Sequence, residues 1–84
     1  MYKVMFIDQN DNSEILDLNY IPKENEVVNV IDGKGKMVLS VTPISDHLQR
    51  IEPAVKGIDF ACIVEDLDGL LNEAMTKTKQ HYKG

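Results

Sequence analysis

The sequence predicts a mainly β domain: a small, strongly bent antiparallel sheet or partly open barrel of five to six strands, with one C-terminal amphipathic helix. Three observations carry this. Apolar residues alternate with period two over the first 65 positions, turn residues interrupt that alternation at short intervals, and the pattern changes to helical spacing after residue 66. With 84 residues there is room for one hydrophobic core, so the chain reads as a single domain, 1–65 forming the sheet and 66–82 the helix.

The elements run in order along the chain. Tyr2, Val4 and Phe6 alternate with Lys3, Met5 and Ile7, a first strand apolar on both faces. Gln9 to Ser13 is a loop of Asx and Ser residues, which hydrogen-bond their own backbone. Leu16, Leu18 and Tyr20 then share one face of a second strand, antiparallel to the first, that ends at Ile21-Pro22. Val27, Val28, Val30 and Ile31 form a β-branched third strand. The spacer Asp32-Gly33-Lys34-Gly35-Lys36 turns the chain, and Met37, Leu39 and Val41 return antiparallel. Thr42-Pro43 ends the fourth strand because proline has no donor for the ladder. Between Pro43 and Gly57 the pattern weakens, and His47 to Ile51 reads as a short edge strand or an open loop. Ile58, Phe60, Cys62 and Val64 make the inner face of a central strand. Leu67, Leu70, Leu71, Ala74, Met75 and Thr78 then carry helical spacing, with Asp66 or Asp68 as N-cap.

The segment Ile21-Pro22-Lys23-Glu24-Asn25-Glu26-Val27-Val28-Asn29-Val30, followed by Gly33 and by Met37-Val38-Leu39-Ser40-Val41, resembles a pattern of small SH3-like barrel proteins of bacteria, phages and mobile elements. The resemblance covers about residues 20–65. It implies an SH3-like barrel and a phage or mobile-element source, and its motif contains no catalytic residue. Asn25 stands where the pattern prefers glycine; asparagine also accepts a left-handed turn conformation.

Composition narrows the function. Net charge is −5, and every acidic residue precedes position 74, whereas Lys77, Lys79 and Lys83 close the chain with no acid among them. An acidic body repels phosphate backbones, which weighs against direct nucleic-acid binding. The basic end suits a helix C-terminus. Cys62 is the one cysteine; set in an apolar run with no cationic neighbour, it reads as buried filler in a reducing, cytoplasmic compartment. No apolar run approaches the roughly 18 residues that span a bilayer, and the N-terminus reads as a strand, not an export leader.

Candidate chemistry is sparse. Asp8, Asn10, Asn12 and Glu14 have the alternate oxygens of a calcium loop, but Ser13 and Asn19 occupy the positions that require glycine and a bidentate acid. His47 and His81 have no partner at zinc-ligand spacing. No metal or other cofactor is expected, and no nucleophile–base motif indicates an enzyme. Lys34 and Lys36, in the glycine turn, are candidate anion contacts. The expected function is therefore a non-catalytic protein-interaction module, with His47, Leu48 and Arg50 as contacts, since long loops on small scaffolds tend to be functional. Two rivals stand beside it. One is an acidic inhibitor that mimics nucleic acid toward a host protein, using Asp59, Glu65, Asp66 and Asp68. The other is a dimeric protein that binds or sequesters a small anion or nucleotide. Self-association is expected in any case, because a first strand with two apolar faces needs cover on both.

Overall fold

The computed structural model describes residues 1–67. Five strands, β1 (Tyr2–Ile7), β2 (Ser13–Leu18), β3 (Val27–Asn29), β4 (Gly35–Pro43) and β5 (Phe60–Asp66), form one sheet in the order β2-β1-β5-β4-β3. A short helix, α1 (Asp46–Ile51), and a 3-10 turn (Pro53–Val55) separate β4 from β5. No helix among the described residues is long and apolar enough to cross a membrane. The stripe Leu70, Leu71, Ala74 and Met75, the alternative cap Asp68, the C-terminal lysines and His81 lie outside the described residues. Of the expected helix 66–82, only its first two positions can be followed: Asp66 ends β5, and Leu67 already lies in helical geometry.

Among the described strands, β5 is the central one, as expected from the alternation in 58–64. Cys62 and Val64 are fully buried, and Ile58 is buried just ahead of the strand. The sheet is mixed, however, and not purely antiparallel: β5 pairs with β4 antiparallel and with β1 parallel, Val4 facing Phe60 and Phe6 facing Cys62. Asp59 determines the direction. Its N–H donates to Lys3 O at 2.8 Å and its Oδ2 accepts from Lys3 N–H at 2.8 Å, so β5 enters beside the beginning of β1 and runs the same way.

Val4, Phe6, Val28, Val30, Val38, Cys62 and Val64 form the core, with Leu16, Leu18, Ile31, Val41 and Phe60 packed against it. These residues come from all five strands and share the concave side, so the sheet curls into a half-barrel. Its two edges, β2 and β3, are linked at one end by residues 19–26, in which Pro22 is buried and Tyr20 OH donates to Glu26 Oε2 at 3.1 Å. At the other end the Ile31 N–H donates to Glu14 Oε1 at 2.9 Å, a bond from just past β3 to β2.

Local details depart from the alternation. Tyr20, expected inside on β2, lies beyond the strand end and is exposed. Ile31, expected in β3, takes a left-handed φ of 73°, while Val30 reaches the core from outside the strand. Asn25 has φ 69°, the turn conformation its residue type tolerates. In β4 the register shifts between Val38 and Ser40; this bulge puts Val38 and Val41, opposite Val64 and Cys62, on the inner side and pushes Leu39 outward. The β3–β4 hairpin pairs Val27 with Met37 and Asn29 with Gly35, turning through Gly33 at φ 80°.

Candidate functional site

The excursion between β4 and β5 is built, not slack. Its ends are pinned where Ile44 N–H donates to Asp59 O at 2.9 Å. Ser45 caps α1, its Oγ accepting from Leu48 N–H at 3.3 Å, and the first turn carries Asp46 while the last carries Arg50, both favourable to the helix dipole. His47 to Ile51, read from the sequence as edge strand or open loop, is therefore helical. Gln49 fastens the helix to the approach of β5: its Nε2 donates to Ile58 O at 3.4 Å and its Oε1 accepts from Gly57 N–H at 3.1 Å. The 3-10 turn then sends Val55 and Ile58 into the interior, with Gly57 at φ 81° making the reversal.

That fastening decides which side chains α1 presents. Leu48 and Gln49 are half-buried against the domain, whereas His47, Arg50 and Ile51, related by i, i+3 and i+4, are exposed. Two of the three contacts expected from sequence thus share the outward face, and Leu48 sits on the inward one. Ile51, which sequence reasoning missed, is 60% exposed on that face at the end of α1. The signal that finds it is Ser45-Asp46 ahead of Leu48 and Ile51, with Pro53 following.

A second constellation lies at the other end of β4. Lys36 points to the concave side, its side chain wholly removed from solvent, and its Nζ meets Asp66 Oδ1 at 2.5 Å and Asp32 Oδ1 at 3.0 Å. Gln9 Nε2 donates to the other oxygen of Asp66 at 2.9 Å. Lys34 N–H donates to Asp32 Oδ1 at 3.0 Å, closing an Asx turn. The hydrogen bond to Asp66 is the main reason the Lys36 ammonium is held above the usual lysine range, with Asp32 adding to it against the opposing effect of burial. Conversely, Lys36 and then Gln9 hold the Asp66 carboxyl below its ordinary range, and the Lys34 N–H followed by Lys36 does so for Asp32. Of the two candidate anion contacts, Lys36 is thus matched by two carboxylates, and Lys34 is exposed at the turn.

The loop read against a calcium template is an Asx turn. Asp8 Oδ1 accepts from the Asn10 and Asn12 N–H groups, both at 2.9 Å, and Glu14 turns away to Ile31. Among the described residues no group of His, Cys, Asp and Glu side chains is placed to hold a metal ion. Compared with family models, curated proteins and solved structures, the chain matches none.

Proposed function

We propose that this chain is a non-catalytic protein-interaction module that meets a protein partner through the outward face of α1. The observation that carries the reading is the presentation of Ile51. A single exposed apolar residue is ordinary, but this one stands on a helix capped by Ser45, anchored by Gln49 and flanked by Arg50 and His47. Such a face suits an apolar pocket with acidic groups at its rim. Burying one isoleucine side chain contributes about 1.5–3 kcal/mol, or roughly ten- to a hundredfold in affinity.

The finer fold reading, an SH3-like barrel, belongs to the same proposal. It is supported by the glycine hairpin and by the tie from Ile31, just past β3, to Glu14 of β2. A cytoplasmic setting is supported by the single buried thiol of Cys62.

The experiment is affinity capture with the unaltered chain, followed by titration of the recovered partner against Ile51→Ala and Arg50→Glu. Ile51→Ala is expected to weaken binding at least tenfold while leaving the urea midpoint unchanged, because α1 contains no buried residue. A partner that binds both variants with unaltered affinity refutes the assignment of this face. If binding instead falls steeply with salt and depends on Asp59 or Glu65, the acidic-mimic alternative is favoured.

A further inference from the structure

The side chains that alternate away from the core make the convex side of the sheet, and they are apolar along a strip. The strip starts at Ile15 on β2 and its register partner Met5 on β1, continues through the neighbours Ile7 and Ile63, and ends on the β3–β4 pair Val27 and Met37. Leu39, pushed outward by the bulge in β4, fills the step between Ile63 and Met37. Val27 is 54% exposed, Ile15 50%, Leu39 44% and Ile63 42%. Among the described elements, α1 packs against the 3-10 turn and not against the strands.

Charge and symmetry both bear on what fits this strip. The chain carries −5 overall, but among the described residues the outward strand positions hold three charged side chains, Lys3, Asp17 and Glu65, and Lys3 and Asp17 oppose each other across β1 and β2. A basic partner gains little here, whereas two acidic copies can approach along this side with little repulsion. The strip is also disposed evenly about Ile63. Ile15 lies two strands to one side of β5 and Val27 two strands to the other. By register, Ile15 is level with Ala61, two residues before Ile63, and Val27 is level with Glu65, two residues after it. A two-fold axis lying between two such sheets at Ile63, perpendicular to the strip, therefore sets Ile63 against its own copy and the Ile15 end against the Val27 end, apolar on apolar throughout. Two curled sheets set back to back touch along a strip, which is the shape of the apolar surface. With about 100 Å² for a whole side chain, these residues and the half-buried Met5, Ile7 and Met37 offer roughly 250–300 Å² of apolar surface per copy. At the usual apolar share of an interface, a pair buries about 900 Å² in total, the size of a weak, exchanging contact.

We propose that the convex strip is the contact between two copies of this chain, in a two-fold dimer centred on Ile63. This inference does not rest on the function proposed for α1, and its test leaves that face untouched.

The test is sedimentation equilibrium of the full chain from micromolar to hundreds of micromolar concentration, where the 9.5 kDa species should give way to one of twice that mass. Ile63→Glu and Ile63→Lys should each weaken association at least tenfold, because the axis sets two like charges against each other, and an equimolar mixture of the two should recover at least tenfold over either alone. Circular dichroism and urea midpoints establish that each variant is folded; if an Ile63 variant is not, Ile15→Lys and Val27→Glu take its place as the complementary pair, since the ends of the strip meet across the contact. A single 9.5 kDa species at every concentration overturns the proposal, and so does a dimer that both charges leave at full strength. Association lost in each variant but not recovered in the mixture also overturns it, because the contact is then not centred on Ile63.

Discussion

Replacing Glu14 tests whether the half-barrel is held closed by one side chain. The Ile31 N–H that Glu14 accepts belongs to a β-branched residue at φ 73°, a conformation that costs roughly 1–2 kcal/mol for an L-residue. The bond is charge-assisted and half-buried, so its net contribution is about 1.5–3 kcal/mol, compared with about 0.5–1.5 kcal/mol for a neutral acceptor. Glu14→Ala should therefore destabilise the protein by about 1.5–3 kcal/mol and Glu14→Gln by roughly half as much. A chain of 84 residues is expected to have about 4–13 kcal/mol in total, so the alanine variant loses a large share. With a urea slope of about 1 kcal/mol/M the midpoint falls by about 1.5–3 M. Amide exchange at Ile31 should accelerate at least tenfold in Glu14→Ala while Val64 tracks only the change in global stability. A midpoint shift below about 0.5 M, with Ile31 exchange unaltered, would refute closure by Glu14.

Three further outcomes are expected. Cys62 in the native chain should react with a thiol reagent only through opening of the fold, so its rate should rise with urea; rapid labelling in buffer contradicts its burial at the centre of β5. Asp32 and Asp66 have lowered pKa values, so the stability they contribute is present above the ordinary carboxyl pKa of 3.8 and is lost as pH falls below it. The raised pKa of Lys36 contributes stability below 10.5 that is lost at higher pH; thermal melts of Lys36→Met should have flatter slopes at both extremes. Gly33→Ala should cost about 1 kcal/mol through its φ of 80° in otherwise open space, whereas Gly35→Ala should instead displace Leu67, read as a shifted Leu67 methyl resonance.

What the sequence discloses and what it hides separate by range of interaction. Alternation in 58–64 locates β5 and its inner face because burial of Cys62 and Val64 is a property of one strand. The glycine spacer locates the β3–β4 hairpin because the turn is local. Strand direction is different: period two is the same in a parallel and an antiparallel pair, so the β1–β5 pairing depends on Asp59 meeting Lys3, 56 residues away. The bulge at Leu39 is hidden for the same reason, since only the register against Ile63 and Val64 creates it. For the candidate site, the composition of the segment is enough to name His47 and Arg50, but their common face exists only once α1 is helical. The cap at Ser45 is legible; the fastening by Gln49 to Gly57 and Ile58 is not, being tertiary. Lys36 reverses its apparent meaning: a lysine in a glycine turn suggests an anion contact, yet its position opposite Asp66 in the sheet gives it carboxylate partners.

The topology also determines when the α1 face can exist. The hairpins β1–β2 and β3–β4 are each local, and isolated two-stranded hairpins are marginal in water. Among the described strands, β5 alone pairs with both, with β1 on one side and β4 on the other, so the half-barrel assembles cooperatively around it. The α1 excursion ends at that strand: the bond from Ile44 to Asp59 that closes it, and the bond from Gln49 to Ile58 that orients it, both need β5 in place. His47, Arg50 and Ile51 therefore form one surface only in the folded domain. A partner that recognises that surface binds the native state alone, and its binding must raise the apparent stability of the whole sheet, including the distant Glu14–Ile31 tie, by mass action.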